Sequence, residues 1–211
     1  MRADMVPVPG RPGEFFIPSA GVVNKANETF EDAVFDTIET ATGLLTAGLE
    51  YRWFDSSTNK NLHHQNYGSQ KKVPSHHELK LTRIGLYVRQ IYGGTPTTGD
   101  DTAAIYENGA IKFLLGTRLV SKGPGFKYPS GYGLYGVSTE NNFSAISCGI
   151  PSVAAAPLLA ETQDINDKID LDATLTFFGQ TWQTTTTMPT LSARCAVTFL
   201  LHGTIKKPLG V

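Results

Sequence analysis

The five histidines are the residues with the most capacity for chemistry, and four of them come as adjacent pairs, His63-His64 and His76-His77. Imidazole is a common metal ligand, so two pairs flanking one polar stretch could converge on an ion. A metal site also needs ligands fixed by a supporting shell. Both pairs sit in the most polar and least patterned part of the chain. Neighbouring side chains on a strand point to opposite faces, so each pair offers one ligand to a given side. A solvated loop is the expectation. His202 falls on the second face of the last predicted strand and is expected to be packed or capped rather than a ligand. The carboxylates Asp164, Asp167, Asp170 and Asp172 lie in TQDINDKIDLD. Their spacing has the look of a calcium loop, but the sharp-turn glycine and the closing glutamate are missing. They read as a solvated loop before a strand.

The two cysteines, Cys148 and Cys195, form no C-x-x-C pair, which argues against a cysteine-based zinc site. Cys195 sits in an apolar strand pattern and reads as a small buried hydrophobe. A Cys148–Cys195 disulfide stays open. The chain has no G-x-S-x-G, H-E-x-x-H or P-loop. The doublets Lys71-Lys72 and Lys206-Lys207 read as surface solubility. Contact with a packaged genome or an anionic lipid surface is the functional alternative, but two doublets provide little attraction. Tyr128, Tyr132 and Tyr135 lie in the aromatic, glycine-rich FKYPSGYGLYG and could stack on sugars, as in carbohydrate-binding sandwiches. No catalytic, cofactor-binding or metal residue is assigned, no cofactor is expected, and the chain is not read as an enzyme.

What must position these residues is set by composition and pattern. The chain has 211 residues, which suits one domain. It is 40% hydrophobic, enough for a real core, and only 18% charged, below the roughly 25% of average globular chains. A weakly charged surface suggests that much of it is covered by something else. The net charge of −1 provides no basic field to hold nucleic acid. The start, MRADMVPVPGRPGEFF, lacks the apolar core of a signal peptide, and no run approaches the roughly 18 apolar residues of a membrane span. Synthesis in the cytosol is expected.

Residues 1–13 read as an extended, Pro- and Gly-rich arm, followed by a single domain over 14–211. Asn27 to Thr40 is the best helix candidate, with a capping Asn27 and Phe30, Val34 and Ile38 four apart; its Thr and Val content leaves an extended second half as the alternative. Leu44 to Phe54 reads as a strand, with Leu49, Tyr51 and Trp53 on one face. Asp55 to His77 is a long polar loop. Leu79 to Tyr92 is a long strand whose apolar set slips from Leu79 and Leu81 to Ile84, Leu86 and Val88, which predicts a β-bulge beside Gly85. Gly93 to Asp101 is a loop. Asn108-Gly109 predicts a type I′ hairpin within Ile105 to Val120, its second arm Ala110 to Val120 buried on both faces. Asn142 to Cys148 is a short strand. Pro151 to Asp170 is mixed, with an Ala-rich piece suited to a helical turn. Leu171 to Phe178 points Leu171, Ala173, Leu175 and Phe177 inward. Gln180 to Thr187 is a Thr-rich strand. Ala193 to Ile205 puts Cys195, Val197, Phe199, Leu201 and Ile205 on one face. Roughly eight strands, uneven loops and little helix predict an all-β, antiparallel two-sheet sandwich, a single jelly roll.

Four stretches carry a resemblance: FDTIETATGLLTAGLEYRWF, VPSHHELKLTRIGLYV, ENGAIKFLLGTRLV and CAVTFLLHGTIKKPLG. In order and spacing they resemble the jelly-roll coat proteins of tailless bacteriophages. The resemblance implies a structural major capsid protein that tiles an icosahedral shell, located in the virion. Its partners would be copies of itself and other virion structural proteins, with an internal membrane or packaged genome beneath. It implies no small-molecule substrate and carries no catalytic residues. Related capsids often use two rolls per chain, and this chain has room for one. The alternative is a carbohydrate- or receptor-binding sandwich of a virion appendage, using Tyr128, Tyr132 and Tyr135. A metal-dependent cupin-like enzyme fits least, since cupin metal sites project from strands and four of the five histidines lie in a predicted loop.

Overall fold

The computed structural model describes residues 6–7, 14–17, 22–25, 27–55, 60, 64–67, 71–91, 97, 99–128, 158–182 and 185–208. Eight main strands carry the fold: β1 (Asn27–Glu39), β2 (Glu50–Trp53), β3 (Glu78–Gln90), β4 (Gly109–Leu115), β5 (Arg118–Pro124), β6 (Leu158–Asn166), β7 (Leu171–Phe177) and β8 (Cys195–Pro208). One α-helix, α1 (Gly99–Asn108), precedes β4. All pairings between these strands are antiparallel, and they make two four-stranded sheets, ordered β6-β3-β8-β1 and β2-β7-β4-β5. First strand pairs with last, β1 with β8; then β2 with β7, β3 with β6, and β4 with β5. The chain is thus one long hairpin rolled up on itself, which is a jelly roll. The expected two-sheet sandwich is present.

Alternation explains the inner faces. Leu171, Ala173, Leu175 and Phe177 of β7 are all fully buried, as are Cys195, Val197, Phe199 and Leu201 of β8. Phe199 sits among three rings: it stacks on Trp53 at 5.1 Å and meets Phe113 at 5.5 Å and Phe54 at 6.3 Å. Trp53 is wholly buried, and its indole N–H donates to the Val197 carbonyl at 2.9 Å, so the one polar atom of that ring is satisfied. The central strand β8 is covered on its other face too, at Ala196, Thr198, Leu200 and His202.

Several expectations are corrected. Asn27 to Thr40 is not a helix but the 13-residue strand β1. Phe30, Val34 and Ile38 are four apart, and four is also a multiple of two, so the spacing suits one face of a strand equally, on which Val34 and Ile38 are buried. The charged Asp32 and Asp36 between them hid the alternation. Asn108-Gly109 makes no hairpin. Asn108 ends α1, its side-chain amide donating to the Ala104 carbonyl at 3.0 Å, and Gly109 opens β4. Gly109 is there for close approach: a Cβ would lie 2.5 Å from the Ile105 oxygen and 2.7 Å from Leu175. The expected loop Gly93 to Asp101 enters this helix at Gly99.

Ala110 to Val120 is two strands, not one arm. Its turn is Gly116-Thr117, where Gly116 takes the left-handed φ of 57°. The bulge in β3 is real, but it falls at Thr82, where the β8 register jumps from His202↔Arg83 to Gly203↔Leu81. β6 occupies part of what read as mixed structure. Gln180–Trp182 and Thr185–Thr187 form a small hairpin instead of a single strand. At the N-terminal end, Val6–Pro7 of the expected arm pairs with Phe15 and Phe16. The predicted strand Asn142 to Cys148 and the Ala-rich piece lie outside the described residues.

Candidate functional site

The residues singled out for chemistry do not converge. Among the described residues, no group of three or more His, Cys, Asp or Glu could hold a metal ion. His76 and His77 lie in the turn before β3. The His76 N–H donates to the Asp167 carboxylate at 3.2 Å, and Nδ1 of His77 lies 2.9 Å from the Ser75 carbonyl. His64 sits far along the chain in a turn of its own, and His63 lies outside the described residues. His202 is 1% exposed on β8; burial and the nearby Arg83 hold it down at about 4, so it is neutral at pH 7. Asp164 and Asp172 are not in a loop but in β6 and β7, and Asp167 and Asp170 occupy the turn between those strands. Asp170 stands 3.8 Å from Lys72, Lys71 stands 3.6 Å from Asp55, and Lys206 stands 3.2 Å from Glu78. Cys195 is free and buried, and burial pushes its thiol pKa up, which makes it unreactive. Cys148 lies outside the described residues.

Tyr128 is 2% exposed and shares a 2.9 Å hydrogen bond with Ser121, so it presents no ring face to a sugar. Tyr132 and Tyr135 lie outside the described residues. An open groove of about 630 Å³ lies on the outer face of the β6-β3-β8-β1 sheet, among Thr29, Glu78, Lys80, Asp164 and Lys206. It mixes acids with bases and gathers no nucleophile with a base.

The geometry that could do something lies at the rims of the two sheets. On one side, β1 and β2 are fastened. Asp36 is fully buried on the inner face of β1. Its carboxylate accepts from the Phe54 N–H at 2.6 Å, from the Thr37 N–H at 2.9 Å, and from Lys60 at 2.6 and 2.8 Å. Burial pushes this carboxyl up from its ordinary value, while Lys60 and the two N–H groups pull it back. Asn66 completes the closure: its side chain accepts from the Phe35 N–H at 2.7 Å and donates to the Ala33 carbonyl at 2.6 Å, and its own N–H donates to Phe35 O at 3.2 Å. The loop after β2 thus lies along the β1 rim and occupies its backbone groups.

Among the described residues the other side is left open. The Leu86 N–H donates to the Tyr128 carbonyl at 2.8 Å, and the Tyr106 hydroxyl donates to Leu86 O at 2.6 Å. The chain leaving β5 therefore reaches the part of the β3 rim that β6, paired only from Glu78 to Arg83, leaves uncovered. So β5 and β6 border the same side of the sandwich. Among the described residues, neither has a strand on its outer rim. Three large apolar side chains are exposed here: Leu119 at 46%, Phe126 at 64% and Leu158 at 66%. The charge is segregated. From Arg118 to Tyr128 every charged residue is basic, Arg118, Lys122 and Lys127, and in β6 every one is acidic, Glu161 and Asp164.

Sequence reasoning missed Asp36, Lys60 and Asn66 because their partners are distant in the chain. Asp36 between Val34 and Ile38 in the alternating set of β1 was the available signal. The segregated charge of the open side was legible in the sequence. No protein family, curated protein or solved structure matches the chain.

Proposed function

We propose that the chain is the major coat subunit of a bacteriophage, a non-enzymatic jelly roll that assembles with copies of itself into an icosahedral shell. The observation that carries this reading is a rolled sandwich with one rim closed by its own loop and the other, among the described residues, bearing exposed apolar side chains and no further strand. A subunit that works alone has reason to blunt such edges, because an open edge is a template for another chain. A subunit that tiles has reason to keep one. The resemblance of the four sequence stretches to jelly-roll coat proteins adds to it. The low charged fraction of 18% fits a surface covered in an assembly. Partners on this reading are copies of the chain and other virion structural proteins.

The test is the native mass, by light scattering with negative-stain electron microscopy. Trimers, hexamers or closed shells are expected. A monomer that persists at high concentration overturns the reading.

A further inference from the structure

We propose that the β5–β6 side is the contact between two copies of this chain, with β5 of each copy set against β6 of the other. The proposal rests on the self-assembly reading and adds the surface, the partner's register and the symmetry. Charge selects the partner strand. Arg118 and Lys122 on β5 are exposed, and so are Glu161 and Asp164 on β6. Among the described residues none of the four makes an ion pair, whereas on the closed side Asp36 is held by Lys60 and Glu39 by Arg194. Asp164 has Lys80 across the β6–β3 ladder without an ion pair, and the surplus of base on β5 and of acid on β6 makes this side complementary to itself.

Two ways of joining this side to a copy of itself preserve a two-fold axis. An axis running across the strands puts β5 against β5 and β6 against β6, base on base and acid on acid. An axis running along the strands puts β5 against β6 twice, base on acid each time. Only the second satisfies the charge. The exposed Leu119, Phe126 and Leu158 lie on the same side and add apolar surface to the contact. Among the described residues neither rim has a strand beyond it, so each can complete the other's sheet.

The experiment is charge reversal read by sedimentation velocity. Arg118→Glu with Lys122→Glu places acid against acid at both halves of the contact. Glu161→Lys with Asp164→Lys places base against base. Each pair is expected to weaken association at least about tenfold, and all four changes together are expected to restore it. Circular dichroism shows that each variant is folded, and should one fail to fold, the unaltered chain in rising salt replaces it, with association expected to weaken. If the unaltered chain associates and the reversals leave it associating equally, or if association ignores salt, this contact is overturned and the coat reading stands. If the unaltered chain is monomeric, both fall.

Discussion

The two rims of this sandwich are built from the same kind of strand and end in opposite ways. Along β1, backbone groups that could recruit a neighbour are taken by Asn66, and a buried carboxylate ties the loop down through Lys60. Along β5 and β6, unpaired charge and exposed apolar side chains are left facing out. Edge protection is therefore not a property of the fold. It is supplied residue by residue, and on the proposed coat reading a rim without it is a surface for another copy.

The largest expected effect comes from breaking the closed side. Asp36→Ala removes the acceptor for Lys60 and for the Phe54 N–H and should cost about 3 kcal/mol in urea unfolding, with faster proteolysis within residues 55–77. Lys60→Met sharpens the same point through pH. Asp36 already has a raised pKa in the folded state, and losing Lys60 raises it further. A carboxyl raised on folding contributes stability below its unfolded pKa and loses it as pH rises through the folded one. The penalty of Lys60→Met should be largest near neutral pH and shrink as the medium is acidified. A penalty that does not vary with pH would show that the N–H donors, and not the lysine, set the charge state of Asp36.

Next in size is Asn66→Ala. It leaves the Phe35 N–H and Ala33 carbonyl without their side-chain partners, at about 2 kcal/mol. Its informative result is association: a freed β1 rim should make the folded chain associate at a second surface, seen as larger species in sedimentation. An unchanged size distribution would mean that Asn66 is fastening and not edge protection.

The sequence made the fold legible where burial is one-sided and strict. β7 and β8 alternate without exception on their inner faces, and the slip inside β3 is a true bulge, three residues from where Gly85 drew attention. It was illegible where two causes share one pattern. A spacing of four in β1 satisfies helix and strand alike. Asn-Gly at 108–109 ends a helix as readily as it turns a hairpin, and the Cβ-free approach to Ile105 and Leu175 that requires Gly109 exists only after folding. β6 pairs irregularly, jumping from Leu158 to Gln163, so it never showed a period. The closed side was hidden because Asp36, Lys60 and Asn66 meet only in three dimensions. The charges of the open side are plain in the sequence, but that they lie on neighbouring rims shows only in the fold.

The smallest effect on stability should come from that open side. Leu119→Ser and Phe126→Ser alter side chains that are already half exposed, so the monomer should change by no more than about 0.5 kcal/mol. If the two rims differ in purpose, the same pair should nonetheless reduce self-association, because what these residues lose in the monomer is water contact and what they lose in the assembly is a partner. Urea unfolding and sedimentation on the same sample separate the two quantities. Unchanged stability with lost association marks a surface kept for a neighbour. Lost stability with unchanged association would mean that Leu119 and Phe126 hold the end of β5 in place, and the contrast between the rims would then be one of packing alone.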